Sequence, residues 1–369
     1  MIAKSKTIVT DSQAALLFPM QGRGAVTNPP GRYEPFSFVP DVDFLDHEGA
    51  PSSVPTSYFS ENSKTILTTN DSPDLGFGTS INPFKGCEHG CIYCFARPSH
   101  EYLNLSPGLD FETKIFFKPK ADQLLRKAFS KKGYVPKTVV LGANTDIYQP
   151  IERKVEVTRK LLEVFLEYKH PVALITKSAL ILRDIDILEK LAKLGLLSVA
   201  ISITTLDPML ANVMEPRAAT PERRLENIRQ LSAKGIPCVV LSSPMIPGLN
   251  DAEMENILTE AAAAGAQWAA YTLLRLPHQN KEIFESWLQQ FFPDRKKKVL
   301  KLIRETRQGR LYQSDFGTRM RGTGTYAELL ESRFVLQCKR LNFSARSFDL
   351  RTDLFTNHLP VQLPLLDTT

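Results

Sequence analysis

The chain has 369 residues, of which 43% are hydrophobic and 23% are charged, a composition typical of a globular protein with a sizeable core. Its net charge of +6 permits a polyanionic partner without establishing one. Five cysteines, three of them within eight residues, do not form the pattern of a disulfide framework. We find no apolar run of membrane-spanning length and no signal-peptide core, and therefore expect a cytoplasmic protein without a membrane segment.

The first 75 residues are rich in proline, glycine and serine. They predict an irregular N-terminal extension that wraps the core or stays partly disordered. Between residues 76 and 290, short β-branched runs alternate with amphipathic stretches. The predicted strands are 76–81, 138–142, 172–176, 197–203, 236–242 and 268–274. The predicted helices lie near 119–130, 153–169, 180–194, 222–234, 253–265 and 279–290.

This alternation predicts an α/β core with a parallel sheet and right-handed crossovers. Six units fit either a partial barrel or a doubly wound sheet, and the pattern alone does not separate them. In both architectures the functional site lies at the C-terminal ends of the strands. Residues 291–369 predict a helical C-terminal region with a strongly basic stretch at 295–310, a helix near 325–341 and an irregular end.

A cluster of cysteines follows the first predicted strand, in the segment INPFKGCEHGCIYCFARPSHEY. Cys87, Cys91 and Cys94 have the spacing C-x3-C-x2-C, so one loop can place three thiolates around a metal centre. Three thiolates suit a [4Fe-4S] cubane with one open iron, whereas ferredoxin-type ligation and structural zinc both need four ligands. His89 is a candidate fourth ligand, which keeps a zinc site as an alternative. Cys238 and Cys338 are remote in sequence.

The same spacing, with the aromatic Tyr93 directly before the third cysteine, resembles the radical S-adenosylmethionine (SAM) superfamily. The segments NTDIYQPIE, TKSALILRD, MEPRAATPERRLENI and PMIPGLND extend the resemblance to the spore photoproduct lyase-like, or DNA repair photolyase-like, branch. The resemblance covers residues 76 to about 275. It implies a partial (β/α)6 barrel, a [4Fe-4S] cluster and SAM, which is cleaved to a 5′-deoxyadenosyl radical that abstracts hydrogen from a substrate. It also implies an electron donor such as flavodoxin or ferredoxin.

Cofactor positioning needs a cation for the methionyl carboxylate, oxygen atoms for the amine and the ribose, and an apolar wall for adenine. The candidates follow the predicted strands: they are Tyr93, Asp146, Lys177, Ser202, Glu215 and Arg217. Lys177 and Arg217 suit a carboxylate, Asp146 the amine, Glu215 the ribose, and Ser202 either the ribose or the carboxylate. The alternatives are a packed aromatic for Tyr93, an Asx turn for Asp146, a surface lysine, a locally bonded serine, and an ion pair within the loop that carries Glu215 and Arg217.

The substrate is less defined by the sequence. Spore photoproduct lyase uses a cysteine hydrogen donor near the end of the second strand, and the corresponding LGANTDIYQP contains no cysteine, which casts doubt on the same repair reaction. Arg275, at the end of the sixth strand, is a candidate contact for an anionic substrate. The basic stretch 295–310 is either a nucleic-acid contact or a solvated helical face. Its cations are Arg295, Lys296, Lys297, Lys298, Lys301, Arg304, Arg307 and Arg310.

Two classes of enzyme therefore remain. One acts on nucleic acid, by DNA repair or RNA modification, and the other acts on a protein or a small metabolite. A non-catalytic iron–sulfur protein is a third hypothesis.

Overall fold

The computed structural model describes residues 22–33, 54–344 and 349–357. Its strands are β1 (Ser57–Ser60), β2 (Leu67–Thr69), β3 (Thr79–Ile81), β4 (Phe84–Lys85), β5 (Lys114–Phe117), β6 (Val139–Leu141), β7 (Val172–Thr176), β8 (Leu197–Ser202), β9 (Cys238–Met245) and β10 (Trp268–Leu273). One sheet has the order β10-β9-β8-β7-β6-β3-β2, with β2 antiparallel to β3 and the other pairs parallel. Because the six parallel strands follow one another in chain order, without the reversal that defines a doubly wound sheet, the sheet is a partial (β/α)6 barrel.

The six predicted strands are confirmed, with ends within three residues of those expected. Their inward side chains explain why the pattern was readable: Val199, Ile201 and Val240 are fully buried. A parallel strand covered by helices on one side and by neighbouring side chains on the other reads as an almost continuous β-branched run.

The helices are α1 (Asp110–Thr113), α2 (Ala121–Phe129), α3 (Glu152–Val155), α4 (Val157–Glu167), α5 (Ile185–Lys193), α6 (Pro208–Met214), α7 (Pro221–Ala233), α8 (Met254–Ala263), α9 (Asn280–Phe291), α10 (Pro293–Glu305) and α11 (Thr325–Arg340). The single helix predicted near 153–169 is divided at Glu156, whose φ is +51°. The buried Glu152 carboxylate accepts a hydrogen bond from the Thr158 amide at 3.0 Å. That bond satisfies an otherwise free donor at the start of α4 and fixes the break.

The N-terminal part contains regular structure that the sequence does not predict. β1 pairs with β5 in parallel and β4 pairs with β5 in an antiparallel manner, which forms a second, three-stranded sheet. β1 is exposed along its whole length and therefore has no alternating pattern to recognise. β4 ends two residues before Cys87, so this sheet supports the base of the cysteine loop. The remainder of the N-terminal extension, residues 1–21 and 34–53, lies outside the described residues.

One residue of the predicted basic stretch, Arg307, does not lie on the surface. The Arg307 side chain is buried and donates to the carbonyl oxygens of Leu274 at 2.8 Å and Thr318 at 3.1 Å. Burial lowers its pKa to about 10, and its donors are used to join two loops, so it is not a phosphate contact. No helix in the described parts of the chain has the length and apolarity needed to cross a membrane.

A close backbone approach at the end of β6 leads to the first prediction. Gly142 has φ +85°, and a Cβ placed there would lie 2.2 Å from the Ile175 carbonyl oxygen. We expect Gly142→Ala to lower the free energy of unfolding by about 3 kcal/mol or more, because backbone strain and overlap with β7 add together. Gly133→Ala is the matched control, since Gly133 has φ +77° but open space around it. It should cost about 1 kcal/mol in the same denaturant titration, and equal losses would contradict the account.

Candidate metal centre

The three clustered cysteines lie in one buried loop between β4 and the 3-10 helix Arg97–Leu103. Cys87 and Cys91 are at most 9% exposed and Cys94 is half-buried. Burial raises the pKa of all three thiols. Cys94 packs against the buried cluster that contains Cys87 and against the one that contains Cys91, so the three side chains lie close together. Thiolates in such buried surroundings need a cationic partner to be stable.

A fully buried arginine holds the backbone of this loop. The Arg97 guanidinium donates to the carbonyl oxygens of Cys91 at 2.9 Å, Gly108 at 2.9 Å and Gly90 at 3.4 Å. It also forms a buried ion pair with Glu112 at 2.5 Å. A planar guanidinium can bridge several acceptors at once, so Arg97 fixes the loop backbone at the second cysteine and at the residue before it.

The Glu112 carboxylate connects the cysteine loop to the N-terminal segment 22–33. Its two oxygens accept from the amides of Gly24 at 3.0 Å and Ala25 at 2.8 Å, in addition to Arg97. Gly24 lies so close to the loop that a Cβ there would be 1.8 Å from the Gly90 carbonyl oxygen. The segment is therefore packed on the loop, and a glycine is required at the contact.

The other side of the loop is held through Glu88 and His89. Gln149 accepts from the Glu88 amide at 3.0 Å, and the Glu88 carboxylate accepts from the Tyr58 hydroxyl at 3.1 Å. The Arg217 guanidinium lies 3.4 Å from the same carboxylate, and its amide donates to the His89 carbonyl at 3.3 Å. Arg217, which the sequence suggests as a cofactor contact, thus contacts the cysteine loop itself.

Tyr93 belongs to a buried polar cluster at the end of β8. Its hydroxyl donates to Glu215 and lies 3.1 Å from the Thr204 hydroxyl. The other Glu215 oxygen accepts from Arg224, which also donates to the Ser202 carbonyl at 3.1 Å. Both oxygens of Glu215 are therefore bonded within the protein, and contact with a ribose would require one of these bonds to open.

Asp146 is bonded on both oxygens as well. One accepts from the Tyr148 amide at 2.9 Å and the Thr176 hydroxyl at 2.7 Å, and the other from the Lys177 amide at 2.8 Å. Burial acts to raise its pKa, but His89 at 3.4 Å and these amides outweigh burial and hold the pKa below its usual range. The bond to Tyr148 is the Asx turn that the sequence leaves open as the alternative.

The Lys177 side chain is the cation beside the cysteines. Its ammonium lies 5.7 Å from the centre of the Tyr93 ring, within the range of a cation–π contact. Its charge partly offsets the effect of burial on the pKa of Cys91 and Cys94. Within the described residues this ammonium forms no salt bridge, so its charge is available to an anionic ligand.

Two further residues that the sequence suggests are bonded to their neighbours. The Ser202 hydroxyl donates to the Ser243 carbonyl at 3.1 Å. The Arg275 guanidinium stacks over the Phe95 ring at 5.1 Å and approaches the Met320 sulfur at 3.7 Å. Phe95 follows Cys94 directly, so Arg275 lies near the loop, on an exposed aromatic ring.

The donor set fits a cubane better than a single ion. Among the described residues no group of three or more His, Cys, Asp or Glu converges as one bound ion requires. In a cubane each thiolate binds a different iron, so the sulfurs stand further apart. His89 is directed to Asp146, and Cys238 and Cys338 lie away from the loop, in β9 and α11. Three thiols are thus available, so a [4Fe-4S] cluster held there would have one iron without a protein ligand.

The family comparison agrees with this geometry. Residues 81–261 match the model of the Radical SAM superfamily, a span that starts at the end of β3 and includes the cysteine loop, Lys177 and the strands up to β9. The chain belongs to the radical SAM superfamily.

Its relatives with a curated sequence are uncharacterized proteins. Protein Rv2578c of Mycobacterium tuberculosis is 34% identical over 222 residues, or 60% of this chain and 65% of that protein. Protein MJ0683 of Methanocaldococcus jannaschii is 27% identical over 173 residues, or 47% and 62%. The chain thus spans slightly less than two thirds of the length of these relatives.

Solved structures of spore photoproduct lyase share the fold. A cysteine mutant of that enzyme superposes with a TM-score of 0.57 at 15% identity, over 84% of this chain and 86% of the other. The complex of the enzyme with dinucleoside spore photoproduct gives 0.56 at 15% identity, over 77% and 79%. At this identity the likeness establishes the architecture.

Several residues that build the site were not predicted from the sequence. Arg97 and Glu112 hold the loop, and Thr204 and Arg224 complete the cluster around Tyr93. Their charges look like surface charges in a sequence, because burial is decided by partners that lie far along the chain. An arginine three residues after the last cysteine, inside the otherwise apolar CFARP, is the one usable signal.

Proposed function

We propose that the chain is a radical SAM enzyme in which Cys87, Cys91 and Cys94 hold a [4Fe-4S] cluster. The observation that carries the proposal is the group of three thiols on one anchored loop, two of them buried and one half-buried, beside a lysine that forms no salt bridge within the described residues. When bound, the cluster and SAM supply a 5′-deoxyadenosyl radical that removes hydrogen from a substrate. The chain provides the buried pocket that keeps water and stray hydrogen donors away.

We assign roles to the residues that surround this pocket. Lys177 binds the methionyl carboxylate, because its charge acts on both Cys91 and Cys94 and its ammonium forms no salt bridge within the described residues. Asp146 orients the Lys177 backbone through the amide bond of 2.8 Å and lies 3.4 Å from His89 of the loop. It receives the methionyl amine after exchanging one of its present partners. Tyr93 supports Lys177 with its ring.

The remaining contacts depend on rearrangement. Glu215 and Ser202 bind the ribose after exchanging one of their present partners, and Arg217 steadies the loop through Glu88. Such an exchange keeps the number of hydrogen bonds unchanged, because a bound hydroxyl restores the one that the carboxylate gives up.

Anaerobic reconstitution tests the proposal directly. Protein loaded with iron and sulfide, reduced with dithionite and mixed with SAM should form 5′-deoxyadenosine. A loaded, reduced protein that leaves SAM intact would favour the non-catalytic iron–sulfur hypothesis. A requirement for flavodoxin or ferredoxin instead of dithionite would identify the electron donor.

The lysine provides a sharper prediction. Lys177→Met should weaken SAM binding by about tenfold or more, because it removes a charge-assisted hydrogen bond to a carboxylate. Equilibrium dialysis with labelled SAM measures the effect, while the iron content should stay unchanged. Lys131→Met, at an exposed lysine after α2, is the matched control and should bind SAM normally. Equal affinities of the two variants would remove Lys177 from the cofactor site.

For the substrate we propose a nucleic acid, which is either DNA that the enzyme repairs or RNA that it modifies. The support is the net charge of +6 and the exposed cations of α10, which include Arg295, Lys297 and Lys298. The segment at the end of β6 contains no cysteine, so a thiol there is not the source of a returned hydrogen. A protein or a small metabolite remains the alternative, and it is favoured if the protein binds no oligonucleotide at low salt.

A further inference from the structure

A basic cavity lies beside the cysteine loop, which forms part of its wall through His89. Its volume is about 410 Å³, within the range of small-ligand sites. The walls come from the cysteine loop and from the segments that follow β6, β7 and β8. Its polar lining includes His89, Arg153, Ser178, Arg217, Thr220 and Arg223. Cys91, Cys94 and Lys177 do not line it, but His89 does and lies 3.4 Å from Asp146, so the cavity adjoins the proposed SAM contacts.

The cavity combines three guanidinium groups that come from different parts of the chain. Arg153 is on α3, Arg217 is in the loop before α7, and Arg223 is in the first turn of α7. Within the described residues, Arg153 and Arg223 form no ion pair, and Arg217 shares the Glu88 carboxylate at 3.4 Å with the Tyr58 hydroxyl. The charge of the cavity is therefore largely uncompensated.

The backbone adds to this positive field. Thr220 is the N-cap of α7, a helix of 13 residues whose amino-terminal end forms part of the lining. The amino-terminal end of a helix carries a partial positive charge. Here Pro221 has no amide proton and the Thr220 hydroxyl accepts from the Arg223 amide, so this end contributes mainly its field. A site with three arginines beside such an end is suited to a group with two or more negative charges and several acceptor oxygens.

We infer that this cavity binds a phosphate group of the substrate. The inference rests on the proposed function, and it deepens it by giving the nucleic-acid substrate a defined phosphate site. His89, between Cys87 and Cys91, forms one wall, so a phosphate in the cavity fixes the attached nucleoside next to the loop that holds the cluster. The cations of α10 are spread along an exposed helix and act as a diffuse attraction for longer strands. The same phosphate chemistry is present in inorganic pyrophosphate and in a strand, and the experiment measures the binding of both.

The experiment uses reconstituted protein and a fluorescently labelled single-stranded DNA hexamer, with inorganic pyrophosphate as a competitor. The cavity variant is Arg153→Gln with Arg223→Gln, and the matched variant is Arg295→Gln with Lys298→Gln on α10. We expect the cavity variant to bind the hexamer at least about tenfold more weakly and to lose competition by pyrophosphate. The α10 variant should keep competition by pyrophosphate and lose only part of its affinity for the hexamer.

Other outcomes would overturn the inference. These are unchanged competition in the cavity variant, loss confined to the α10 variant, and no binding of either probe by the unaltered protein. Slower cluster reduction by an acidic flavodoxin, with normal phosphate binding, would assign the cavity to the electron donor instead. Formation of 5′-deoxyadenosine with dithionite, measured in parallel, reports on the proposed function separately. Its absence from the unaltered protein would reject that function, whatever the binding result.

Discussion

Replacement of Cys91 by alanine is expected to reduce 5′-deoxyadenosine formation to background. Cys91 is 9% exposed and its backbone carbonyl is held by Arg97, so the loop should keep its path while the cluster loses one of three thiolate ligands. A cubane held by two thiolates lacks the ligation that stabilises it. Iron and sulfide analysis, together with product formation under dithionite, measures both effects.

Cys238→Ala is the matched control for this change. Cys238 is fully buried in β9, and burial raises its thiol pKa to about 12, so it is an inert core residue. Its loss should lower the free energy of unfolding by about 1 kcal/mol and leave iron content and product formation unchanged. A Cys91→Ala protein that still cleaves SAM, or a Cys238→Ala protein that folds but does not, would contradict the assignment of the cluster.

The second large effect is expected at Arg97. Arg97→Met removes the donors to the carbonyls of Gly90, Cys91 and Gly108 and leaves the Glu112 carboxylate buried without its cation. Breaking a buried ion pair on one side costs about 3–5 kcal/mol, so we expect a loss of that size in the free energy of unfolding. Cluster content per folded molecule should fall with it, because the loop backbone at Gly90 and Cys91 is no longer fixed.

Two variants separate this positioning role from a general loss of stability. Arg126→Met breaks ion pairs with Asp122 and Glu167 that are partly exposed, and such pairs contribute about 1 kcal/mol or less. Arg97→Lys keeps a positive charge near Glu112 but lacks the planar guanidinium that bridges the loop carbonyls. Compared with Arg97→Met, it should therefore recover more of the free energy of unfolding than of the cluster content. Full cluster loading of the folded Arg97→Met protein would show that the loop does not need this anchor.

The barrel was predictable because its strands repeat one physical pattern. Strands β6 to β10 are short β-branched runs flanked by amphipathic helices, and Gly195 and Gly235, at φ +69° and +70°, mark two helix ends. The second sheet was not predictable, since β1 is exposed and β4 has only two residues. The paired residues of β1 and β5 lie more than fifty positions apart along the chain and those of β4 and β5 more than thirty, and local periodicity does not encode pairing over such separations.

The site also has a part that the sequence predicts and a part that it does not. The spacing of Cys87, Cys91 and Cys94 identifies the loop, because chemistry requires thiolates at short separations along the chain. The partners of Glu215 and Asp146 were not predictable, since each carboxylate is bonded by donors from other strands and loops. A sequence shows which side chains can bind a cofactor, but the fold decides which of them are already bonded.

The central claim is that the cluster keeps one iron free for SAM. Electron paramagnetic resonance of the reduced, reconstituted protein, recorded with and without SAM, tests it most directly. We predict a [4Fe-4S] signal that changes when SAM is added to the unaltered protein. In Lys177→Met at the same SAM concentration, the signal should stay closer to the one recorded without SAM. Zinc in place of iron after anaerobic purification, or a cluster signal that SAM leaves unaltered, would contradict it.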